Sequence, residues 1–121
     1  MCLRNDILKS IRNTKKEANM SSNKYIPPES VISPKAHWSL ISVLLDEGPT
    51  NIAIAVGNWD REPVLAMRWN GSDENPLGNP QSRGLATWFV LPNGRFAEAI
   101  LNTLPDNKQA LVRAFFPKLT Q

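Results

Sequence analysis

The chain has one cysteine, one histidine and one tyrosine among its 121 residues. A single cysteine, Cys2, excludes an internal disulfide framework and a zinc site built from several cysteines. No apolar run approaches the roughly 20 residues of a membrane-spanning helix. The first residues, MCLRND, lack the apolar stretch and the small-residue cleavage site of a secretory signal. These absences predict a cytoplasmic protein with no membrane segment.

Residues that commonly carry catalysis are also scarce. His37, the only histidine, is not accompanied by a nucleophile elbow, and Cys2 lies in a terminal segment where nothing would hold a base beside it. We therefore predict that the protein is not an enzyme.

Metal and phosphate sites find equally little support. Four carboxylates near turns are candidate ligands for a hard cation, but they lack the spacing of a calcium or magnesium loop and are better explained as charges that solvate turns: Asp60, Glu62, Asp73 and Glu74. The glycines Gly71, Gly78 and Gly84 do not form a phosphate-binding loop between a strand and a helix. We predict no bound metal and no cofactor.

The positive charge is concentrated at one end of the chain. Residues 1–24 contain six Lys or Arg and two acidic residues, a net charge of +4. Residues 25–121 contain eight Lys or Arg and nine acidic residues, a net charge of −1. The sequence predicts a basic tail and linker over residues 1–32, with a possible amphipathic helix over 3–18 and a second possible translation start at Met20. One domain is expected over residues 33–121. Because its net charge is close to zero, overall charge gives no support for nucleic-acid binding.

Hydrophobic periodicity predicts an α+β domain. Residues 33–48 have apolar residues at helical spacing after a Ser-Pro start, which predicts a helix. Strands are predicted over residues 51–59, 63–70 and 84–91, and the first two form a hairpin. One helix is expected over residues 92–105, with Asn93 as its N-cap, and another from Asp106. Clustered strands between helices indicate a small curved antiparallel sheet of three or four strands, with an N-terminal helix and one or two C-terminal helices.

The strand 63–70 places its aromatic and its basic residue on opposite faces. Trp69 is in phase with Leu65 and Met67, so it is expected to face the core. Arg68 shares the other face with Asn70, so it is expected to face a ligand.

Tryptophans and arginines near the strands suggest recognition of single-stranded nucleic acid. Bases stack on aromatic rings while guanidinium groups contact phosphates. The candidate residues are Arg68, Asn70, Arg83, Arg61, Trp59 and Trp88.

Two stretches, WDREPVLAMRWNG and SRGLATWFVLPNGRFAEAILNTL, resemble the single-stranded-DNA-binding transcriptional coactivators of the positive-cofactor-four type and their small bacterial relatives. The resemblance covers roughly residues 51–104. It implies a curved antiparallel sheet backed by a helix, a homodimer, and binding of single strands on the sheet face. By position, Arg68 and Trp69 match the returning strand of that family, and Arg83 with Gly84 match the basic-glycine entry to the next strand. The family places several lysines along the sheet, whereas residues 51–92 contain none.

Two hypotheses follow. The first is a homodimeric module that binds single-stranded DNA or RNA and acts as a transcription-associated regulator. The alternative is an accessory protein that binds another protein through the loop 71–83, which is flanked by Trp and Arg. Protein interfaces are enriched in these two residues and depleted in lysine, as residues 51–92 are.

Overall fold

The structure, a computed structural model, describes residues 25–121. A four-stranded antiparallel sheet has the order β1-β2-β3-β6, and a separate two-stranded hairpin, β4–β5, lies between β3 and β6 in the chain. The strands are β1 Trp38–Asp46, β2 Ile52–Trp59, β3 Glu62–Trp69, β4 Gln81–Ser82, β5 Leu85–Ala86 and β6 Phe89–Val90. Two helices follow, α1 Arg95–Leu101 and α2 Asp106–Phe115, and 3-10 turns occupy Pro28–Ser30 and Pro117–Thr120. The predicted α+β fold with an antiparallel sheet and C-terminal helices is confirmed.

The helix predicted over residues 33–48 is wrong, because this segment forms β1 at one edge of the sheet. The register of β1 against β2 shifts between Leu40 and Ser42 and again between Val43 and Leu45. Each shift adds one residue to β1, which breaks the two-residue alternation of a regular strand. The apolar residues are consequently spaced as in a helix, and periodicity cannot separate the two structures in such a short run.

The predicted hairpin is confirmed. β2 and β3 pair in uninterrupted antiparallel register from Ile52–Trp69 to Trp59–Glu62. The two residues of the turn, Asp60 and Arg61, both have positive φ angles, 50° and 74°, as tight hairpin turns require.

The single strand predicted over residues 84–91 is divided into β5 and β6. Between them, the Thr87 amide donates to Pro80 O at 3.1 Å and the Trp88 indole Nε1–H donates to Val31 O at 2.7 Å. These bonds lead away from β3, so pairing with β3 begins only at Phe89.

One face of the sheet is covered by the helices. Ile54, Val56 and Leu65 are buried against α1, α2 and the last turn of the chain, through Ala97, Leu101, Val112 and Leu119. Each fully buried Leu, Ile or Val contributes about 1.5–3 kcal/mol relative to an exposed one.

Helix α1 begins differently from the prediction. Gly94, not Asn93, is the N-cap residue, with φ 98°, and the Asn93 side chain donates to Pro63 O at 3.2 Å instead. The predicted start of the following helix at Asp106 is confirmed.

The opposite face of the sheet is covered by loops. The small residues Ala53, Ala55 and Gly57 face this side, and Trp38 lies directly over Gly57. Val31, 1% exposed, and Ile26 pack here too, so part of the segment assigned to the linker belongs to the packed domain. The predicted helix over 3–18 lies outside the described residues. Between residues 25 and 121, no helix is long and apolar enough to cross a membrane.

Candidate functional site

The loop after β3 is anchored to the strands at both of its ends. Gly71 O accepts the Thr50 amide at 3.1 Å, and Trp69 and Asn79 exchange two backbone hydrogen bonds of 2.8 and 3.0 Å. Gly78, with φ 64°, lies so close to Trp69 O that an added Cβ would be 2.3 Å from it. The loop 71–83 is therefore held against β3 by its backbone.

Arg68 holds this loop from beneath, which corrects the expectation that it faces a ligand. Its side chain is 2% exposed. Nη1 donates to Thr87 O and Nη2 donates to Leu77 O, joining the two ends of the segment that carries β4 and β5. Sequence alternation assigned Arg68 to the correct side of β3, but that side is covered by the loop.

The Arg68 guanidinium is buried without a carboxylate partner among residues 25–121. Burial lowers the pKa of Arg68 below its usual range. A buried cation is costly unless its donors are satisfied, so the two carbonyl acceptors determine whether this arrangement is stable.

Asn70 is also buried, at 4% exposure, and has a structural contact. Its Nδ2 donates to Asp46 Oδ1 and to Gly48 O, both at 2.9 Å, which ties the end of β3 to the end of β1. Of the predicted nucleic-acid-binding residues, Arg68 and Asn70 are therefore turned inward.

Trp69 is 56% exposed, so the expectation that it faces the core is also wrong. It does share a face with Leu65 and Met67, as alternation indicated, but the helices cover that face only as far as Met67 and Ile52, which are partly buried against the core.

The uncovered end of this face forms what we call the Trp69 surface. Pairing across the sheet places Ile52 beside Trp69 and Met67 beside Phe89, so the four side chains share one face. Together with Arg68, Asn79 and Pro80 they line an open, mainly apolar cavity of about 360 Å³. Phe89 is 59% exposed. Two large aromatic side chains thus flank an apolar concave site of the size that ligands occupy.

The remaining predicted residues lie elsewhere. Trp88 is buried and hydrogen-bonded to Val31 O. Arg83 is exposed in the turn between β4 and β5. Trp59 is half-buried and stacks on His37, with ring centroids 5.2 Å apart, beside Arg61 at the β2–β3 turn.

A second concave site lies at this β2–β3 turn. Lys35, His37, Asp60 and Arg61 line an open cavity of about 530 Å³. His37 Nδ1 and Asp60 Oδ1 are 2.7 Å apart. The structure therefore brings together two predicted residues, Trp59 and Arg61, and separates them from Arg68 and Asn70 at the far end of β3.

Sequence reasoning missed Ile52, Met67 and Phe89 as site residues, and it included Pro80 only as part of the loop 71–83. The sequence shows their residue types and predicts the face of the strand on which they lie. It does not predict that the helices are too short to cover this end of the face. The acidic pairs Asp60/Glu62 and Asp73/Glu74 lie at opposite ends of β3. Within the described range 25–121, no three His, Cys, Asp or Glu side chains are grouped as a metal site.

The chain was compared with known protein families, with curated proteins and with solved structures, and no match was found in any of the three comparisons.

Proposed function

We propose that this protein is a non-enzymatic interaction module that binds an apolar segment of a partner polypeptide at the Trp69 surface. One observation carries the proposal: Trp69 and Phe89 are each more than half exposed beside an apolar cavity of about 360 Å³. Exposed tryptophan at a concave site is typical of the residues that dominate binding energy in protein interfaces. A leucine-sized or aromatic side chain of the partner fits this cavity.

The charge around the Trp69 surface favours a polypeptide over a nucleic acid. Residues 44–54 and 69–82, which form this end of the sheet, contain four carboxylates and no lysine or arginine. The one cation that lines the cavity, Arg68, is 2% exposed and donates to two backbone carbonyls. Phosphate groups are repelled by such a surface, and their binding depends on cations that replace counterions.

The test is selection from a random peptide library displayed against the full chain, followed by fluorescence anisotropy of the selected peptides. We expect peptides with an apolar anchor, and at least about a tenfold loss of affinity for Trp69→Ser, because central tryptophans contribute about 2 kcal/mol or more. Leu85→Ser is the matched control, since Leu85 is 55% exposed but lies in the β4–β5 hairpin. Equal affinity for the wild type and Trp69→Ser would contradict the proposal.

A second candidate function is binding of single-stranded nucleic acid at the β2–β3 turn. It is favoured by Lys35 and Arg61 around one cavity, beside the stacked rings of Trp59 and His37. A base stacked there would bring its phosphates near both cations. The open sheet face that the family resemblance implies is covered in this chain by loops, so the turn is the better location.

Anisotropy with fluorescent single-stranded oligonucleotides tests this second function. Binding should weaken as salt rises, and Arg61→Gln should weaken it further, whereas Lys108→Gln on α2 should not. Absent binding at low ionic strength, or binding insensitive to salt, rules it out.

A further inference from the structure

The Trp69 surface is bordered by carboxylates. Glu47 follows β1, and its amide donates to Ile52 O at 3.0 Å, which places this acidic residue next to a residue of the surface. The Asp46 carboxylate is turned to the opposite face, where it accepts from Asn70 Nδ2. Asp73 and Glu74 are exposed in the loop that follows Trp69 by a few residues. We call Glu47, Asp73 and Glu74 the acidic rim.

The described chain begins beside this rim. Tyr25 lines an open cavity of about 470 Å³ together with Thr50, Ser72, Asp73 and Glu74. Its pKa is raised, first by burial and then by the charges of Asp46 and Glu29. Residues 1–24 therefore join the domain at the acidic end of the sheet.

These residues match the surface in both chemistry and reach. Their net charge of +4 is opposite in sign to the −3 of the acidic rim. Their aliphatic branched residues are Leu3, Ile7, Leu8 and Ile11. The 13 residues between Ile11 and Tyr25 span up to about 45 Å when extended, by roughly 3.3–3.6 Å each, which exceeds the dimensions of one end of a small sheet.

We propose that residues 3–16 bind the Trp69 surface of their own chain, with the apolar side chains in the cavity and the basic side chains at the acidic rim. The segment is then an autoinhibitory contact that a partner polypeptide has to displace. This inference uses the surface assigned under the proposed function and adds what occupies it in the free protein. Tethering favours the contact because it sets a high effective concentration.

Cys2 permits a direct test on the full chain. As the only cysteine, it accepts a single nitroxide spin label next to Leu3, and the four tryptophan indole N–H signals report proximity by paramagnetic broadening in a nitrogen-15 spectrum. We expect the Trp69 signal, assigned with Trp69→Phe, to broaden more than the Trp38 signal, because Trp38 is buried on the opposite face of the sheet.

Two perturbations should reverse the broadening. High ionic strength screens the charge attraction, and the double substitution Asp73→Asn with Glu74→Gln removes two of the three carboxylates of the acidic rim. The control is Asp106→Asn with Glu62→Gln, which removes the same charge away from the rim. Equal broadening of Trp69 and Trp38, or broadening of Trp69 insensitive to both perturbations, overturns the proposal.

Mixing separates an intramolecular contact from a contact between copies. When spin-labelled protein without nitrogen-15 is mixed with unlabelled nitrogen-15 protein, an intramolecular contact leaves Trp69 sharp. Broadening in the mixture equal to that in the labelled chain overturns the proposal in favour of a second copy.

The peptide assay separates this inference from the proposed function. Ile7→Asn with Leu8→Asn should tighten binding of a selected peptide by about tenfold if the segment occupies the surface nine-tenths of the time. If the Ile7→Asn, Leu8→Asn variant binds the peptide with the same affinity as the wild type, and Trp69→Ser still weakens binding, the autoinhibitory contact is overturned and the proposed function stands. If Trp69→Ser does not change the affinity for the peptide, the proposed function itself is overturned.

Discussion

Replacing Arg68 with methionine separates a structural role of this residue from a ligand-binding one. Methionine is unbranched and uncharged but shorter than arginine, so it fills the space of the aliphatic part beneath the loop and donates no hydrogen bond. Thr87 O and Leu77 O then lose the donors that they have in the native structure. Thr87 is buried and Leu77 is half-buried, so water compensates only in part.

The magnitude follows from these two acceptors. A buried acceptor left without a donor costs about 1–3 kcal/mol, so two of them cost about 2–6 kcal/mol. Part of this is offset because the unpaired guanidinium no longer has to be desolvated, and we expect a net loss of about 3 kcal/mol in the free energy of unfolding.

Urea denaturation followed by tryptophan fluorescence measures this loss. With a slope of about 1–3 kcal/mol per molar urea, the midpoint should fall by roughly 1–3 M. The control Arg83→Met changes an exposed arginine and should alter stability by no more than about 0.5 kcal/mol. A loss below about 1 kcal/mol for Arg68→Met, which is less than one unsatisfied buried acceptor costs, would refute the reasoning.

Further predictions concern Gly57 and Tyr25. An added Cβ at Gly57 would lie 2.4 Å from Trp38 Cη2 and 2.6 Å from a backbone oxygen, so Gly57→Ala should destabilise the protein by about 1–3 kcal/mol in the same urea assay. A stability equal to wild type would show that Trp38 moves aside freely. Tyr25 is the only tyrosine, so its phenolate absorbance should titrate above pH 10.0, and Asp46→Asn should lower that midpoint only in part, because burial is the larger cause. Because the folded pKa is the higher one, the stability that Tyr25 contributes is present below its unfolded pKa and is lost as pH rises through the folded pKa. A midpoint at or below the ordinary value would contradict this environment.

Alternation along the chain predicted the phase of β2 and β3 correctly, but it did not predict what covers each face. Arg68 and Trp69 are on opposite sides of β3 as expected, yet their exposures of 2% and 56% are the reverse of the expected ones. Coverage depends on the loop that folds over Arg68 and on helices too short to reach Trp69. These are contacts between segments distant in sequence, and local periodicity contains no information about them.

The misread segment β1 has a different cause. Its two register shifts move apolar residues away from strict alternation, so that helix and strand become equally compatible with the pattern. Pairing with β2 decides the outcome. β2 and β3 were recognisable because their register is uninterrupted and a tight turn joins them.

The bonds that Arg68 makes to Leu77 and Thr87 have a practical consequence for the hairpin between them. Both ends of the segment 77–87 are attached to β3 through Arg68. The tip of its hairpin, at Arg83 and Gly84, is exposed, and a Cβ added at Gly84 would have no atom within 4 Å. Foreign sequence is tolerated best at exposed tips whose flanking backbone is anchored. The tip between Arg83 and Gly84 is therefore the position at which this chain can serve as a display scaffold, presenting an inserted epitope while the sheet keeps its own packing.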